Sequence, residues 1–128
     1  MLVNLWFYLA ALFGLSATAL GAYGAHGLAA RGLSGSLVSA FNTGVQYQFY
    51  HALALLLVVL AWRFKPAVPL QVAAAFFALG TLLFSGSIYA LVLFGTKGIG
   101  WLTPLGGVCF MAGWLSVLLA GRTWLRSC

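Results

Sequence analysis

The residues best suited to chemistry in this sequence are two histidines and the neutral polar side chains near them. His51 lies in the segment NTGVQYQFYHALAL, residues 42–55. Four residues of that segment recur at three- and four-residue steps, which places them on one face of a helix: Gly44, Tyr47, Gln48 and His51. A buried imidazole there can bind a ligand, or it can simply hold helices in register through a hydrogen bond.

The other histidine, His26, lies in GAYGAHGL, residues 21–28, directly after an apolar N-terminal stretch. Glycines of this kind can end a helix in the left-handed conformation, and the ring can then satisfy free backbone carbonyls. His26 is therefore interpreted either as a cap of the first helix or as part of a polar niche that it shares with His51.

The complete absence of Asp and Glu excludes several classes of site. Without carboxylates the chain has no carboxylate acid or base and no calcium or magnesium cage. Two histidines are too few for an ordinary zinc site, so no metal and no cofactor are expected. The six Lys and Arg residues are dispersed among apolar stretches, which argues against nucleic acid as a partner. These absences favour a protein that is not an enzyme.

The composition predicts that the chain lies in a membrane. Apolar residues make up 64% of it and charged residues 5%, whereas a soluble domain carries about 25% charged residues. Four apolar stretches each approach the roughly 20 residues that cross a bilayer, at residues 4–24, 44–62, 68–94 and 101–120. We therefore predict one all-α membrane domain over residues 1–128, a four-helix antiparallel bundle with a short interfacial helix, Leu33–Phe41, before helix two.

The cations predict the orientation of the bundle. Arg63, Lys65, Arg122 and Arg126 lie at the end that holds both termini, against Arg31 and Lys97 at the other end. Because cytoplasmic loops carry the excess of Lys and Arg, both termini are expected in the cytoplasm.

Most of the polar side chains are expected at the opposite, outer end. Helices two and four begin there, and their positive dipole ends would favour an anionic or acceptor-rich ligand such as a lipid phosphate, a quinone carbonyl or a sugar headgroup. The candidate ligand-binding residues are His26, Tyr23, Gln46, Tyr47, Gln48, His51, Ser85, Ser87, Tyr89 and Thr103.

Small residues recur at helical spacing and predict where helices approach closely. Helices in lipid gain little from mutual hydrophobicity and associate through close backbone contact at small residues. The candidate packing glycines are Gly14, Gly21, Gly24, Gly44, Gly80, Gly86, Gly106, Gly107 and Gly113.

Four ordered motifs resemble those of the small membrane family known as domain of unknown function 423. They are GAYGAHGL (21–28), NTGVQYQFYHALAL (42–55), FSGSIYAL (84–91) and TPLGG (103–107). The resemblance implies a four-helix protein of the bacterial inner membrane, with related mitochondrial membrane proteins in animals. The family often has a second histidine where this chain has Gln48, so a histidine pair on helix two is not expected here.

The sequence is compatible with two functions. The favoured one is a non-enzymatic module that packs or stabilises a membrane complex, with a second copy or another membrane protein as its partner. The alternative is the binding or transport of a lipid, a quinone or another acceptor-rich molecule in a niche around His26 and His51.

Overall fold

The computed structural model describes residues 2–126, which form four long helices and no strand. The helices are α1 (Leu2–His26), α2 (Gly35–Phe64), α3 (Val68–Phe94) and α4 (Leu102–Trp124). All four are long and apolar enough to cross a membrane. The prediction of an all-α membrane protein with four spanning helices is therefore confirmed.

The helices run antiparallel and pack mainly on their neighbours in sequence. The α2–α3 pair is central, with α1 against α2 and α4 against α3. One apolar core contains residues of every helix, among them Phe13 of α1, Leu55 of α2, Phe77 of α3 and Phe110 of α4. Large apolar side chains on the outside of each helix remain exposed, as a lipid-facing surface requires.

The second helix begins earlier than the apolar stretch at 44–62 indicated. The Ser34 side chain accepts a hydrogen bond from the Leu37 amide at 3.3 Å and caps the helix, which then continues unbroken to Phe64. The expected short helix at Leu33–Phe41 is therefore part of α2 from Gly35 onward. A short 3-10 helix does precede α2, but it lies at Ala29–Arg31.

Two cations cap helix C-termini, where backbone carbonyls lack partners. Arg31 donates from Nη2 to the Leu93 carbonyl at 3.3 Å, at the end of α3. Lys65 donates from Nζ to the Trp124 carbonyl at 2.9 Å, at the end of α4. Neither cation can pair with an Asp or Glu side chain, because the sequence contains none.

Five glycines lie at close contacts between helices. A Cβ atom on any of them would lie closer than 3.4 Å to a side-chain or backbone atom of a neighbouring helix: Gly24, Gly44, Gly80, Gly106 and Gly113. The tightest contact joins α3 and α4, where a Cβ on Gly106 would overlap the backbone of Phe84. At Gly21 the nearest atom, Val45 Cγ1, would lie at an ordinary 3.4 Å.

The structure does not place the other three predicted packing glycines at contacts. Nothing lies within 4 Å of the Cβ position of Gly14, Gly86 or Gly107. Their expected role in packing the helices of this chain is therefore wrong. Helical spacing of small residues identifies a flat strip, but the same strip can face lipid or another molecule as easily as a helix of its own chain.

Gly106→Ala and Gly107→Ala form a matched pair that tests the α3–α4 contact. We expect Gly106→Ala to lower the free energy of unfolding by about 1–3 kcal/mol, because Phe84 presents rigid backbone to the new methyl group. Gly107→Ala adds the same methyl group in open space and should change stability by less than about 1 kcal/mol. Thermal unfolding in detergent measures both, and equal effects of the two variants would contradict this packing.

Candidate functional site

The Gln48 side chain links three helices and is the centre of a cluster of polar groups on α1, α2 and α3. Its amide nitrogen donates to the Phe13 carbonyl at 2.9 Å and to Ser16 Oγ at 2.7 Å, both on α1. Its amide oxygen accepts a 2.6 Å hydrogen bond from the Tyr89 hydroxyl on α3. With Gln48 itself on α2 and 4% exposed, one buried side chain holds α1, α2 and α3 together.

A second polar contact between α2 and α3 lies one helical turn away. Ser85 Oγ donates to the Gly44 carbonyl at 2.6 Å. The approach depends on the missing side chain of Gly44, since a Cβ there would lie 3.3 Å from both Ile88 and Tyr89. Gly44, Gln48, Ser85 and Tyr89 thus form one continuous polar seam between the two central helices.

A groove of about 240 Å³ lies between α1 and α3 above Gln48. Three of the candidate ligand-binding residues line it: Gln48, Ser85 and Tyr89. The other lining residues belong to α1 and α3: Phe13, Ser16, Leu20, Thr81, Leu82 and Gly86. The side-chain donors in the groove are already engaged. Ser16 donates to the Leu12 carbonyl and Thr81 to the Phe77 carbonyl, each at 2.8 Å. The groove therefore offers oxygen lone pairs and no free side-chain donor.

His51 is enclosed by protein groups on both ring nitrogens and on one ring face. Nδ1 lies 2.8 Å from the Tyr47 carbonyl, and Trp114 Nε1 donates to Nε2 at 3.1 Å. Because Nε2 accepts, Nδ1 carries the hydrogen and the imidazole is neutral. Phe110 stacks on the ring with centroids 3.6 Å apart and planes 10° apart. The side chain is 4% exposed.

The two histidines do not share a site. Gly24 contacts Phe41, which precedes His51 by ten residues on α2, so His26 lies roughly 15 Å or more from His51 along the bundle axis. His51 is the seventeenth residue of α2, at the middle of the bundle, and its ring neighbours are Phe77, Phe110 and Trp114. The expectation of a common niche fails because α2 begins at Gly35 instead of Gly44.

The remaining candidates lie toward the end of the bundle that holds the α3–α4 loop. Ser87 and Thr103 share a 2.5 Å hydrogen bond between α3 and α4. Tyr23 accepts a long hydrogen bond of 3.5 Å from Arg31. His26 and Gln46 are exposed. Tyr47 stacks on Phe84, with ring centroids 4.8 Å apart.

Several groups that take part in these contacts were not predicted from the sequence. The Phe13 carbonyl cannot be anticipated from residue type, because any residue supplies the same group. Ser16 and Thr81 looked like ordinary small residues of apolar helices. The contact of Trp114 could have been predicted, since an indole N–H in the middle of a span needs a hydrogen-bond acceptor. No group of three or more metal-binding side chains occurs within residues 2–126.

Comparison with known proteins identifies the family. The sequence model described as "Protein of unknown function (DUF423)" matches residues 20–107. The chain belongs to this family. The matched segment contains all ten candidate ligand-binding residues, whereas Phe13, Ser16 and Trp114, which complete the contacts of Gln48 and His51 in this DUF423 protein, lie outside it.

Relatives with similar sequences occur in distant bacteria. The chain is 41% identical over 115 residues to a UPF0382 membrane protein of Haemophilus influenzae, covering 89% of this chain and 90% of the relative. It is 39% identical over 117 residues to the UPF0382 inner membrane protein YgdD of Escherichia coli, with 91% and 88% covered. The UPF0382 membrane protein YwdK of Bacillus subtilis is 36% identical over 124 residues, with 96% and 100% covered.

No solved structure matches the chain. Its DUF423 membership, the inner-membrane relative and the four spanning helices together make it an integral protein of the inner membrane.

Gln48→Leu and Gln46→Leu test the role of the buried amide in this DUF423 protein. Gln48→Leu should lower the free energy of unfolding by about 1–3 kcal/mol, because the Tyr89 hydroxyl and the α1 groups lose their partner. Gln46 is exposed on the same helix, so its substitution should have little effect. Thermal unfolding of both variants in the same detergent measures the two effects. A Gln48→Leu variant as stable as Gln46→Leu would show that Gln48 does not hold the helices together.

Proposed function

We propose that this protein is a non-enzymatic packing module of the inner membrane, which stabilises a complex by binding a second membrane protein or a second copy of itself. The observation that carries the proposal is a strip of small residues, Gly14, Thr18 and Ala22, on the outer side of α1. In lipid, small residues at four-residue steps favour close association of helices.

The first helix has the most uncovered surface in the bundle. In its most apolar 18 residues 17% are buried, against 44% in α2 and in α3. Thr18 and Ala22 are exposed, and nothing lies within 4 Å of the Gly14 Cβ position. Large apolar side chains of the same helix, Tyr8, Leu12 and Leu15, are also exposed. A partner helix could therefore approach the α1 backbone closely at the strip and pack against these side chains beside it.

The state of His51 supports a non-enzymatic role. Both ring nitrogens already have hydrogen-bonding partners, and Phe110 covers a ring face. Without a free nitrogen or a nearby carboxylate, this imidazole has no partner for proton transfer to a substrate. Its contacts instead join α2 to α4 and hold their register.

The proposal places both termini in the cytoplasm. Arg63, Lys65, Arg122 and Arg126 lie at the end where α2 and α4 finish, and the distribution of Lys and Arg around the helices favours the cytoplasm for that end. The strip on α1 would then run through the bilayer and be open to a partner helix within it.

Gly14→Leu tests the strip, with Gly107→Leu as its control. Both positions have open space around the missing Cβ, so both variants should fold. Gly14→Leu should weaken the association about tenfold, or about 1.4 kcal/mol, because a large side chain keeps the partner helix away. Native mass spectrometry of protein purified in a mild detergent measures the bound fraction and shows whether the added mass is a second copy.

The control variant Gly107→Leu should associate as the unsubstituted protein does. Two results would overturn the proposal. In one, the protein stays a single chain and no other protein co-purifies with it. In the other, Gly14→Leu leaves the association unchanged.

A second candidate function rests on the groove between α1 and α3. Its free oxygen lone pairs fit a ligand that donates a hydrogen bond, such as a lipid with a free hydroxyl, better than the acceptor-rich ligand expected from the sequence. Gly86 lines this groove with open space around its Cβ position. A side chain at this position would therefore occupy the binding volume without disturbing the helices.

Gly86→Leu should lower the binding of diacylglycerol at least about fivefold, whereas Gly107→Leu should not. Diacylglycerol and its acetylated counterpart, which has no hydroxyl donor, are compared by native mass spectrometry. Equal binding of the two lipids would rule out this function.

A further inference from the structure

A cavity of about 220 Å³ lies where α3 ends and α4 begins, at the opposite end of the bundle from the termini. Apolar side chains of α3 and of the α3–α4 loop form part of its wall, and four polar residues also line it: Ser87, Thr96, Lys97 and Thr103. Its volume is below the roughly 300–1,000 Å³ of sites for drug-sized molecules. The cavity can therefore hold a small polar molecule or a lipid headgroup, and it lies at the ends of two spans, where headgroups are found.

The hydroxyl groups of Ser87 and Thr103 have used their hydrogens within the protein. Ser87 Oγ donates to the Phe84 carbonyl at 2.9 Å. The hydrogen in the 2.5 Å bond between the two hydroxyls therefore comes from Thr103. Thr103 Oγ keeps its lone pairs and lines the cavity, so it can accept a hydrogen bond from a ligand.

Lys97 and Thr96 add hydrogen-bond donors to the same cavity. Both residues are exposed, and neither side chain is hydrogen-bonded to any group of residues 2–126. The Lys97 ammonium carries a positive charge and three donor hydrogens. This part of the lining therefore favours an anionic oxygen, whereas Thr103 favours a hydroxyl donor.

The carbonyls at the end of α3 do little to offset the Lys97 charge. The amides of Gly95 and Thr96 donate to carbonyls of the last turn of α3 at 3.0 and 3.1 Å. Arg31 donates to a third carbonyl of that turn, as described above. Because these carbonyls have donors, the negative end of the α3 dipole is partly neutralised beside the cavity.

We propose that this cavity binds a phosphate ester that carries a free hydroxyl, with the phosphate on Lys97 and the hydroxyl donating to Thr103 Oγ. A glycerol phosphate group has this chemistry, whether it is the headgroup of phosphatidylglycerol or a free ester. The site shares no residue with the α1 strip or with the groove above Gln48. It goes beyond the packing function and does not depend on it.

Native mass spectrometry of the delipidated full chain tests the proposal with two matched pairs of probes. Phosphatidylglycerol and phosphatidylethanol have the same charge, but only the first has headgroup hydroxyls. Glycerol 3-phosphate and ethyl phosphate form the same pair without acyl chains. In the pair that binds, the hydroxylated member should bind about fivefold more tightly, the ratio for one further hydrogen bond of about 1 kcal/mol.

Competition between the pairs identifies the source of the ligand. Phosphatidylglycerol that binds without competition from glycerol 3-phosphate assigns the site to a lipid headgroup. Binding of glycerol 3-phosphate on its own assigns it to a free ester. Both results agree with the proposed chemistry.

Two variants test the two contacts separately. Lys97→Gln should weaken binding of the preferred probe about fivefold, the ratio for about 1 kcal/mol per basic residue near an anionic group. Its control, Arg126→Gln, removes an equal charge at the other end of the bundle and should leave binding nearly unchanged. Thr103→Val should abolish the preference for the hydroxylated probe and leave binding of its partner without hydroxyls unchanged.

Gly100→Leu tests the cavity itself. Gly100 lines it, nothing lies within 4 Å of its Cβ position, and its φ is not in the left-handed region, so the variant should fold. The added side chain should reduce binding of every probe at least about fivefold. Gly107→Leu, which also adds a side chain in open space, should not.

The proposal fails on any of four results. Absence of binding by all four probes would remove the site. Equal affinity within each pair would exclude the hydroxyl contact. Equal losses in Lys97→Gln and Arg126→Gln would show that surface charge attracts anions without a site. Unchanged binding in Gly100→Leu would place the ligand outside this cavity.

Discussion

Hydrocarbon offers no hydrogen-bonding partners, so a polar side chain within the bilayer must find its partners inside the protein. In this chain that constraint determines which helices are joined and where. Gln48 ties α1 to α2 and α3, the His51–Trp114 pair ties α2 to α4, and Ser87 with Thr103 ties α3 to α4. Trp6, whose buried indole nitrogen has no partner among the described residues, is an exception.

Both sides of the central α2–α3 pair combine polar and close apolar contacts. Toward α1, the Gln48 amide supplies the hydrogen bonds and Gly24 packs against Phe41. Toward α4, the hydrogen bonds of Trp114 and Thr103 are joined by a close steric fit, in which Gly80, Gly106 and Gly113 admit the aromatic rings and backbone of the facing helix. Hydrogen bonds fix how two helices are oriented relative to each other, whereas glycine contacts bring the helices close and so increase the dispersion attraction between them. The combination gives a bundle with few polar groups a defined arrangement.

The fold follows from the sequence because its signals are strong and local. Apolar length alone defines four spans, and Pro69 and Gly95 mark where α3 begins and ends. The start of α2 was missed because residues 35–43 are too polar to count as a span, although the Ser34 cap makes them helical. That error moved the helix start by nine residues and carried His51 from the rim to the middle of the bundle.

The polar cluster was predictable only in part. Residue types indicated that Gln48, Ser85 and Tyr89 belong together, since neutral polar groups in spans must pair. Their partners on α1 include a backbone carbonyl, which no residue type indicates. The division of the glycines into those at contacts and those in open space depends on helix rotation, which their spacing leaves undetermined.

The neighbour-by-neighbour packing has a consequence for biogenesis. Each helix from α2 onward packs on the segment synthesised just before it, so it can meet that partner as soon as it enters the bilayer. The Phe13 carbonyl and the Ser16 hydroxyl of α1 gain their hydrogen bonds to Gln48 only when α2 enters the bilayer. The chain can thus assemble in the order in which the ribosome delivers it, without any helix having to pass another.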